Sequence, residues 1–435
     1  MSHDTTRRDL LKAGAAAGLG LMAAPSILAQ ERKNSSDKIR FAIVGCGGRG
    51  GANLASAAQF REIVALCDVD MNVRTKTMLD YPRAASFSDF RAMIDSMHKH
   101  IDAVVVSTPD HTHSVAAATA MRAGKHVYCE KPMSRTVWEA RKLSGLARTQ
   151  RVMTQMGNQG TASSELRKAA ALLKAKSWGD VKEIHCWTDR SGGWWPQGVE
   201  RPPSKVTPKH VDFDLWLGPA PSRPYADGYH PFAWRGWWDF GSGSLGDIGC
   251  HCMNLPFMAF DLRDPISILA ETSGHNKDSF PSWSIVHYEF GQRGNRAPVM
   301  LHWYDGGKKP SQDLIPGQEM TPNGCIIVCE KATLFSPGEY GGGGRLVGGA
   351  PMPDVEIVES PGHFAEFALA IRGGKIPLGN FPGYAGPLAE MVVLGNLAVW
   401  ANGEKVMWDA RKGEAKGTTA YDALLKQNSR IGWEI

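Results

Sequence analysis

The sequence lacks the features that would mark a nucleic-acid-binding or membrane-spanning protein. No run of five or more lysine or arginine residues occurs, and 49 basic residues alternate with 44 acidic ones to give a net charge of +5. A nucleic-acid partner is therefore not expected. The apolar segment from Ala13 to Ala24 is too short to span a bilayer, so we expect no membrane span in the mature chain.

The eight cysteines form no Cys-x-x-Cys motif. Cys250 and Cys252, like Cys325 and Cys329, lack the spacing of a zinc ribbon or a redox pair. Three others lie at or beside the ends of predicted buried strands, where cysteine behaves as a small apolar residue. We therefore predict neither a metal site nor a disulfide framework.

The N-terminal residues differ in kind from the rest of the chain. The paired Arg7 and Arg8 precede the short apolar segment, as in a twin-arginine export signal. Cleavage near Ala29 would leave a polar linker, so residues 1–37 are interpreted as export signal and linker. The mature protein is then expected in the periplasm, or otherwise exported by the twin-arginine route. The 435-residue chain is long enough for two further domains.

A glycine-rich turn follows the first apolar run, in the segment "FAIVGCGGRGG". Gly45, Gly47 and Gly50 occupy the three positions of a G-x-G-x-x-G motif, and Gly48 and Arg49 complete the turn. Glycine allows the tight turn, the approach of a pyrophosphate and close packing of helix on strand. The helix that follows would direct its N–H groups at the phosphates, so these five residues are candidate cofactor ligands.

Asp68 ends the second predicted strand, 18 residues after Gly50 (68 − 50). A carboxylate at this position suits a ribose 2′-hydroxyl and disfavours a 2′-phosphate. NAD is therefore favoured over NADP, although Arg49 and Arg74 could partly reverse that preference.

Strand and helix patterns alternate from Lys38 to about Gly160, which predicts a doubly wound parallel sheet, a Rossmann domain spanning residues 38–160. Ligands of such sheets bind at the carboxyl ends of the strands. The segments "STPDHTH" and "EKP" lie at two of these ends. They supply the candidate cofactor-binding residues Thr108, Pro109, His113, Glu130 and Lys131.

The chain resembles the Gfo/Idh/MocA family, named for glucose-fructose oxidoreductase, inositol dehydrogenase and a rhizopine catabolism protein. The resemblance rests on "VGCGGRG", "CDVD", "STPDHTH", "YCEKPMS" and "GDIGCH", and it extends over nearly all of residues 38–435. It implies an NAD(P)-dependent oxidoreductase that acts on CH–OH groups of a sugar, polyol or glycoside.

The resemblance also implies catalytic roles for three residues. The lysine of the EKP motif, Lys131, would hold the reacting hydroxyl, presented by a turn at Pro132. Asp247 and His251 are spaced i and i+4 in a helical pattern, so both side chains would project from one face. His251 would be the acid/base of the reaction, and Asp247 would fix a neighbouring hydroxyl or support the base.

Further candidates lie in two later segments. Asn158 and Gln159 of "MGNQG" could contact the nicotinamide or the substrate, or satisfy loop backbone groups. A proline- and tryptophan-rich insertion, residues 187–243, holds half of the 14 tryptophans. Most of its rings should pack the loop's own core, with one or two at the site. Arg235 and Trp238 are its candidate substrate contacts.

Residues 161–435 show longer strand patterns joined by hairpin-like loops. They predict a substrate-binding and oligomerisation domain built on a large, mostly antiparallel open sheet, with a C-terminal segment that packs back on the first domain. An open sheet face favours a homodimer or homotetramer.

An exported nicotinamide enzyme cannot rely on a cytosolic cofactor pool, so a tightly held cofactor is expected, although electron delivery to an acceptor would also serve. Two chemistries fit a held cofactor: coupled oxidation and reduction of two sugars, and a redox-neutral NAD-dependent glycoside hydrolase or lyase cycle. A non-catalytic sensor of nucleotide and sugar is the alternative outside enzymes.

Overall fold

The computed structural model of the chain describes residues 38–190 and 193–435. The predicted export signal lies outside these residues. Within them, no helix combines the length and the apolarity that a bilayer span requires. All eight cysteines of the chain are buried free thiols.

The first domain alternates strands with helices. Its strands are β1 (Ile39–Val44), β2 (Arg61–Cys67), β3 (Ala85–Phe87), β4 (Ala103–Val106), β5 (His126–Glu130) and β6 (Thr154–Gly157). Its helices are α1 (Arg49–Ala58), α2 (Met71–Asp80), α3 (Phe90–Met97), α4 (Asp110–Arg122) and α5 (Val137–Gln150). Neighbouring strands are all parallel in the order β3-β2-β1-β4-β5-β6, which confirms the predicted doubly wound sheet.

The local sequence explains these boundaries. β4 is buried along its whole length, as expected for a strand covered by helices on both faces. Asp70 and Asp89 accept hydrogen bonds from the first turns of α2 and α3. Thr136 and Glu139 form a reciprocal capping box at the start of α5.

The second domain is built on a nine-stranded sheet. Its strands are β7 (Val181–Trp187), β8 (Ser267–Thr272), β9 (Ser284–Phe290), β10 (Val299–Tyr304), β11 (Gly324–Cys329), β12 (Thr333–Pro337), β13 (Arg345–Leu346), β14 (Val406–Asp409) and β15 (Glu414–Ala415). The order is β13-β12-β11-β7-β10-β9-β8-β14-β15. Among the described strands of this sheet, only β7 and β10 pair in parallel, so the predicted mostly antiparallel sheet is confirmed.

One face of this sheet is covered by helices. The helices of this part of the chain are α6 (Ser164–Lys174), α7 (Phe213–Leu217), α8 (Gly243–Cys252), α9 (Asn254–Phe260), α10 (His363–Ile371), α11 (Gly386–Ala401) and α12 (Asp422–Leu425). β9 and β10 alternate buried and half-buried residues, and their inward side chains, such as Tyr288 and Trp303, join one core with α8, α9 and α11. α8 thereby holds its own side chains between the sheet and the first domain.

The insertion has an aromatic core of its own and is attached to the first domain. Phe213, Trp216, Tyr229 and Phe240 are among the buried rings of this core. A short antiparallel bridge joins residues 70 and 211, because the Met71 amide donates to the His210 carbonyl at 2.8 Å and the Asp212 amide donates to the Val69 carbonyl at 3.0 Å. The insertion therefore lies along the edge where β2 ends.

Two C-terminal segments also contact the first domain. Phe364 of α10 packs against Tyr128 of β5, with ring centroids 5.0 Å apart. Near the end of the chain, the Trp433 ring contacts Phe90 at 5.9 Å and lies under the Arg91 guanidinium at 3.8 Å.

Candidate active site

The glycine turn between β1 and α1 has the shape that a phosphate group needs. Gly45 has φ +85°, and a Cβ there would lie 2.6 Å from the Ser107 carbonyl oxygen. A Cβ on Gly50 would lie 2.0 Å from the Gly45 carbonyl oxygen. At Gly48, by contrast, with φ +50°, no described atom lies within 4 Å of the Cβ position. The turn is thus tightly packed against the protein at Gly45 and Gly50 and open at Gly48, where a ligand can approach.

Asp68 follows β2 and closes the same turn. Its carboxylate accepts hydrogen bonds from the Cys46 amide at 2.8 Å and the Asp70 amide at 2.9 Å. Burial raises the pKa of Asp68, while these two amides lower it. The carboxylate is therefore held rigidly beside Gly47, at the position that the sequence analysis assigned to the ribose.

Glu130, at the end of β5, is a hub of hydrogen bonds rather than a free ligand. Its Oε1 accepts from Asn53 at 2.8 Å, from Arg49 at 3.2 Å and from Gln159 at 3.2 Å. Gln159 also donates to the Tyr128 hydroxyl at 3.2 Å. The structure thus brings Arg49, Glu130 and Gln159 together, next to the glycine turn.

His113 supports the turn that carries Lys131. Its two ring nitrogens lie 2.8 Å from the Pro132 carbonyl oxygen and 2.7 Å from the Thr108 carbonyl oxygen, and the residue is buried. The Lys131–Pro132 peptide is cis. His113 therefore links the ends of β4 and β5, and both of its ring nitrogens are engaged by the protein. Pro109, next to Thr108, is the N-cap residue of α4.

Lys131 meets Asp247 of α8 at the junction of the domains. The Lys131 Nζ donates to the Asp247 carboxylate at 2.8 Å and to the Asp247 backbone carbonyl. Arg235 Nε donates to the same carboxylate at 3.2 Å, and an Arg190 Nη lies 3.5 Å from its other oxygen. Burial alone would raise the pKa of Asp247, but Lys131, Arg235 and Arg190 hold it well below its usual range.

His251 lies one turn further along α8. It is 4% exposed, and its Nδ1 is buried without a hydrogen-bond partner among the described residues. Burial, followed by the charge of Lys131, lowers the pKa of His251 well below its ordinary value. The imidazole is therefore neutral at physiological pH, with an unused nitrogen beside a charged lysine.

Other buried polar atoms in this region also have no partner among the described residues. Among them are the Thr108 Oγ1, the Arg190 Nε and the Asn158 Oδ1, while the Asn158 Nδ2 donates to the Cys250 carbonyl at 2.7 Å. Native proteins pair nearly all buried polar groups, so each of these atoms needs a partner such as a water molecule, an ion or a ligand.

Sequence reasoning missed three residues of the site. Arg190 follows β7 and contacts Asp247, and its guanidinium stacks on Trp194 at 3.9 Å. Glu339 follows β12 and forms an ion pair with Arg190 at 3.0 Å. Tyr340 places its ring 4.7 Å from the His251 ring. No motif marks these residues, and the only local signal was a glycine-rich loop.

Most tryptophans of the insertion are buried, although Trp194 lies against Arg190, and Trp195 and Trp234 lie against Arg235. Five of them are buried, at exposures of 6% or less: Trp187, Trp195, Trp216, Trp234 and Trp237. Trp238 is not brought to the cluster, because its ring stacks on Phe280 at 3.7 Å and its Nε1 donates to the Ser279 carbonyl at 3.0 Å. Arg235, in contrast, joins Lys131 and Asp247.

The donor set fits a dinucleotide cofactor. The open front of the glycine turn and the fixed carboxylate of Asp68 are the features that a pyrophosphate and a ribose require. The orphaned Thr108 hydroxyl lies at the carboxyl edge of the same sheet, where such ligands bind.

Two family profiles match the chain. A profile described as "Oxidoreductase family, NAD-binding Rossmann fold" (GFO_IDH_MocA) matches residues 39–158. A second, described as "Oxidoreductase family, C-terminal alpha/beta domain" (GFO_IDH_MocA_C2), matches residues 187–305. Together they cover more than half of the chain. The first domain is therefore an NAD-binding Rossmann domain.

Curated relatives match shorter parts of the chain. A glycosyl hydrolase family 109 protein of Solibacter usitatus is 36% identical over an alignment of 171 positions that covers 35% of this chain and 39% of that protein. Levoglucosan dehydrogenase of Pseudarthrobacter phenanthrenivorans is 24% identical over 202 residues, 46% of this chain and 43% of that protein. The match spans less than half the length of each relative.

Solved structures share the fold over most of the chain. The WlbA dehydrogenase of Bordetella pertussis, in complex with NADH and UDP-GlcNAcA, has a TM-score of 0.60 at 17% identity and covers 86% of this chain and 99% of its own. An inositol dehydrogenase homologue of Azotobacter vinelandii, complexed with NADH and myo-inositol, has a TM-score of 0.58 at 17% identity. The match covers 86% of this chain and 98% of that homologue. The NADH in both agrees with the predicted NAD.

Proposed function

Because the chain belongs to the Gfo/Idh/MocA oxidoreductase family, we propose that it oxidises a secondary hydroxyl of a sugar, polyol or glycoside with NAD. The observation that carries this proposal is the contact of Lys131 with Asp247 beside His251, whose buried Nδ1 has no partner among the described residues. The substrate class is supported by relatives named for levoglucosan and by neighbours solved with myo-inositol or UDP-GlcNAcA.

The glycine turn, Arg49 and Asp68 would hold the cofactor, with Thr108 at the edge of the same groove. NAD, when bound, supplies the acceptor for the hydride that leaves the substrate carbon. Asn158 lies next to α8 through its bond to Cys250 and presents a free amide oxygen to the same region.

The protein's own groups would handle the hydroxyl proton. The Lys131 ammonium donates a hydrogen bond to the reacting hydroxyl oxygen and stabilises the developing negative charge. The neutral His251 imidazole accepts the proton as the C–H bond breaks and the carbonyl forms. Asp247, saturated by three cations, cannot serve as the base and instead keeps Lys131 charged and in place.

We further propose that the protein is exported by the twin-arginine route and keeps its cofactor through repeated turnovers. Such a protein is transported folded, so a cofactor bound in the cytoplasm would travel with it. Outside the cytoplasm no nicotinamide pool replaces a lost molecule, so the reduced cofactor must be reoxidised in place.

The experiment is an assay of the purified mature protein for released nucleotide after denaturation, followed by incubation of untreated protein with sugars and glycosides without added NAD. Stoichiometric NAD(H) with turnover is the expected result. A purified protein that contains no nucleotide and converts substrate only when NAD is added would contradict cofactor retention. Bound nucleotide with ligand binding but no turnover on any substrate would favour a sensor.

A second candidate is redox-neutral cleavage of a glycoside, favoured by the 36% identity to a glycosyl hydrolase family 109 protein. In that cycle a sugar hydroxyl is oxidised, the glycosidic bond is eliminated, water adds and the ketone is reduced, so NAD is regenerated in each turnover. Product analysis in the same incubation distinguishes the two: cleavage releases an aglycone, whereas sugar exchange yields one oxidised and one reduced sugar.

A further inference from the structure

The glycine-rich loop between β12 and β13 reaches from the second sheet to the active site. The Gly343 amide donates to the Glu165 carboxylate at the start of α6. Gly341 has φ +72°, and a Cβ there would lie 2.6 Å from a methyl carbon of Leu166. A Cβ on Gly160 would lie 2.8 Å from the Tyr340 carbonyl oxygen. Close packing at Gly341 and Gly160, with the hydrogen bond from Gly343, fixes the loop against the segment that follows β6.

The loop brings two side chains to the site. Glu339 binds Arg190, which in turn contacts Asp247. The Tyr340 ring lies 4.7 Å from the His251 ring, at an interplanar angle of 57°. Burial and the Glu339 carboxylate raise the pKa of Tyr340, whereas Arg49 and Lys131 lower it. The phenol is therefore close enough to interact with charged residues of both domains.

Tyr340 is far more exposed than the buried aromatic residues of the insertion, such as Trp195 and Trp234. Tyr340 is 43% exposed, while the His251 it covers is 4% exposed. Two exposed rings of the insertion each have one face against an arginine: Trp194, 48% exposed, lies 3.9 Å from the Arg190 guanidinium, and Phe232, 43% exposed, lies 4.6 Å from the Arg235 guanidinium. Tyr340, in contrast, packs against the ring of His251 itself. An aromatic side chain that is fixed at its backbone and left open beside a buried base is suited to contact a ligand rather than to fill a core.

We propose that Tyr340 is a substrate-contacting residue that determines specificity for ring-shaped polyhydroxylated substrates. A sugar ring has an apolar C–H face, and the exposed face of the tyrosine ring would cover it. This contact orients the reacting hydroxyl toward Lys131 and His251. The proposal rests on the proposed function, because it names the surface that holds that function's substrate.

The test compares Tyr340→Phe, which keeps the ring, with Tyr340→Ala, which removes it. With a substrate found in the sugar panel, Tyr340→Ala should raise KM and the equilibrium Kd by about tenfold, or about 1.4 kcal/mol, while kcat changes little. Tyr340→Phe should stay close to the wild type. The bound NAD content and the thermal unfolding temperature should be the same in all three proteins.

Three results would overturn the proposal. The first is an unchanged KM and Kd in Tyr340→Ala, and the second is an equal loss of affinity in Tyr340→Phe. The third is a fall in kcat of Tyr340→Ala at constant KM, which would make Tyr340 a positioning residue for His251. Equilibrium binding separates this failure from that of the proposed function. Binding weakened by Tyr340→Ala without wild-type turnover would contradict only the oxidation chemistry. A wild type that neither binds nor converts any sugar would contradict both.

Discussion

Asp247 contacts three cations at once, and this arrangement decides its role. The Lys131 Nζ, Arg235 Nε and an Arg190 Nη all lie within 3.5 Å of its carboxylate oxygens. A carboxylate so strongly stabilised as an anion has no affinity left for a substrate proton. Its effect on the reaction therefore passes through Lys131.

Asp247→Asn should move the alkaline limb of the pH profile. Burial lowers the pKa of Lys131, but the charge and hydrogen bond of Asp247 hold it above its ordinary value. Without that charge the lysine pKa falls, so the decline of kcat/KM at high pH should begin about one unit or more lower. Glu339→Gln, which alters the partner of Arg190 and not of Lys131, is the matched control. An alkaline limb that stays in place would contradict this role for Asp247.

His251→Ala should abolish turnover and spare cofactor binding. General-base groups contribute about 10²- to 10⁴-fold to rate, so a loss of that size is expected. Because burial lowers the pKa of His251, the wild-type kcat/KM should stay level as the pH falls to about 6.5 and decline only below it. His100→Ala, at an exposed histidine, is the control. Full activity in His251→Ala would show that another group takes the proton.

The insertion between β7 and α8 is held by one buried side chain in particular. The His111 ring nitrogens lie 2.8 Å from the Trp216 carbonyl oxygen and 3.2 Å from the Phe240 carbonyl oxygen. The imidazole also packs edge-on against the Trp216 ring and at a tilt against the Phe240 ring. His111 thus links the start of α4 to both ends of the insertion's aromatic core.

His111→Ala should destabilise the protein by about 2 to 4 kcal/mol, because it leaves a cavity and removes the ring partner of the Trp216 carbonyl. Chemical denaturation would measure the loss. Limited proteolysis should also cut the insertion faster than in the wild type, since its attachment to α4 is weakened. His98→Ala, on the exposed side of the first domain, should change neither property. A variant as stable and as resistant as the wild type would contradict this role.

The first sheet could be predicted from sequence because its order follows from local units. Each strand from β1 to β6 is followed by a helix or a tight turn whose glycines and caps lie within a few residues. The motif residues Lys131, Asp247 and His251 were likewise predicted from short segments. In each case the information lies within one element and its flanking turns.

Arg190 and Glu339 could not be predicted in the same way, because they meet only through the topology of the second sheet. β7 and β12 each pair antiparallel with β11, so they run parallel to each other, and their carboxyl ends lie at one edge. Arg190 follows β7 and Glu339 follows β12. This relation depends on pairing between segments more than 130 residues apart, which a strand pattern does not encode.

The whole active site exists only when the two domains are assembled. Lys131 comes from the end of β5 in the Rossmann domain, while Asp247 and His251 come from α8 in the second domain. The loop that carries Tyr340 is fixed in turn on α6. A protein that is exported must therefore complete both domains before export if it is to carry a cofactor between them.

Replacement of Arg7 and Arg8 by lysine tests this link between export and cofactor. The twin-arginine route requires the arginine pair, so the double variant should stay in the cytoplasm while the wild type is recovered from the periplasm. Because the folded domains are unchanged, the retained variant should carry the same nucleotide per chain and convert the same substrate. Fractionation followed by nucleotide assay of each pool measures both. Wild-type protein recovered from the periplasm without nucleotide would contradict the proposal that the cofactor is exported with the protein. Export of the double variant would contradict the assignment of Arg7 and Arg8 to a twin-arginine signal.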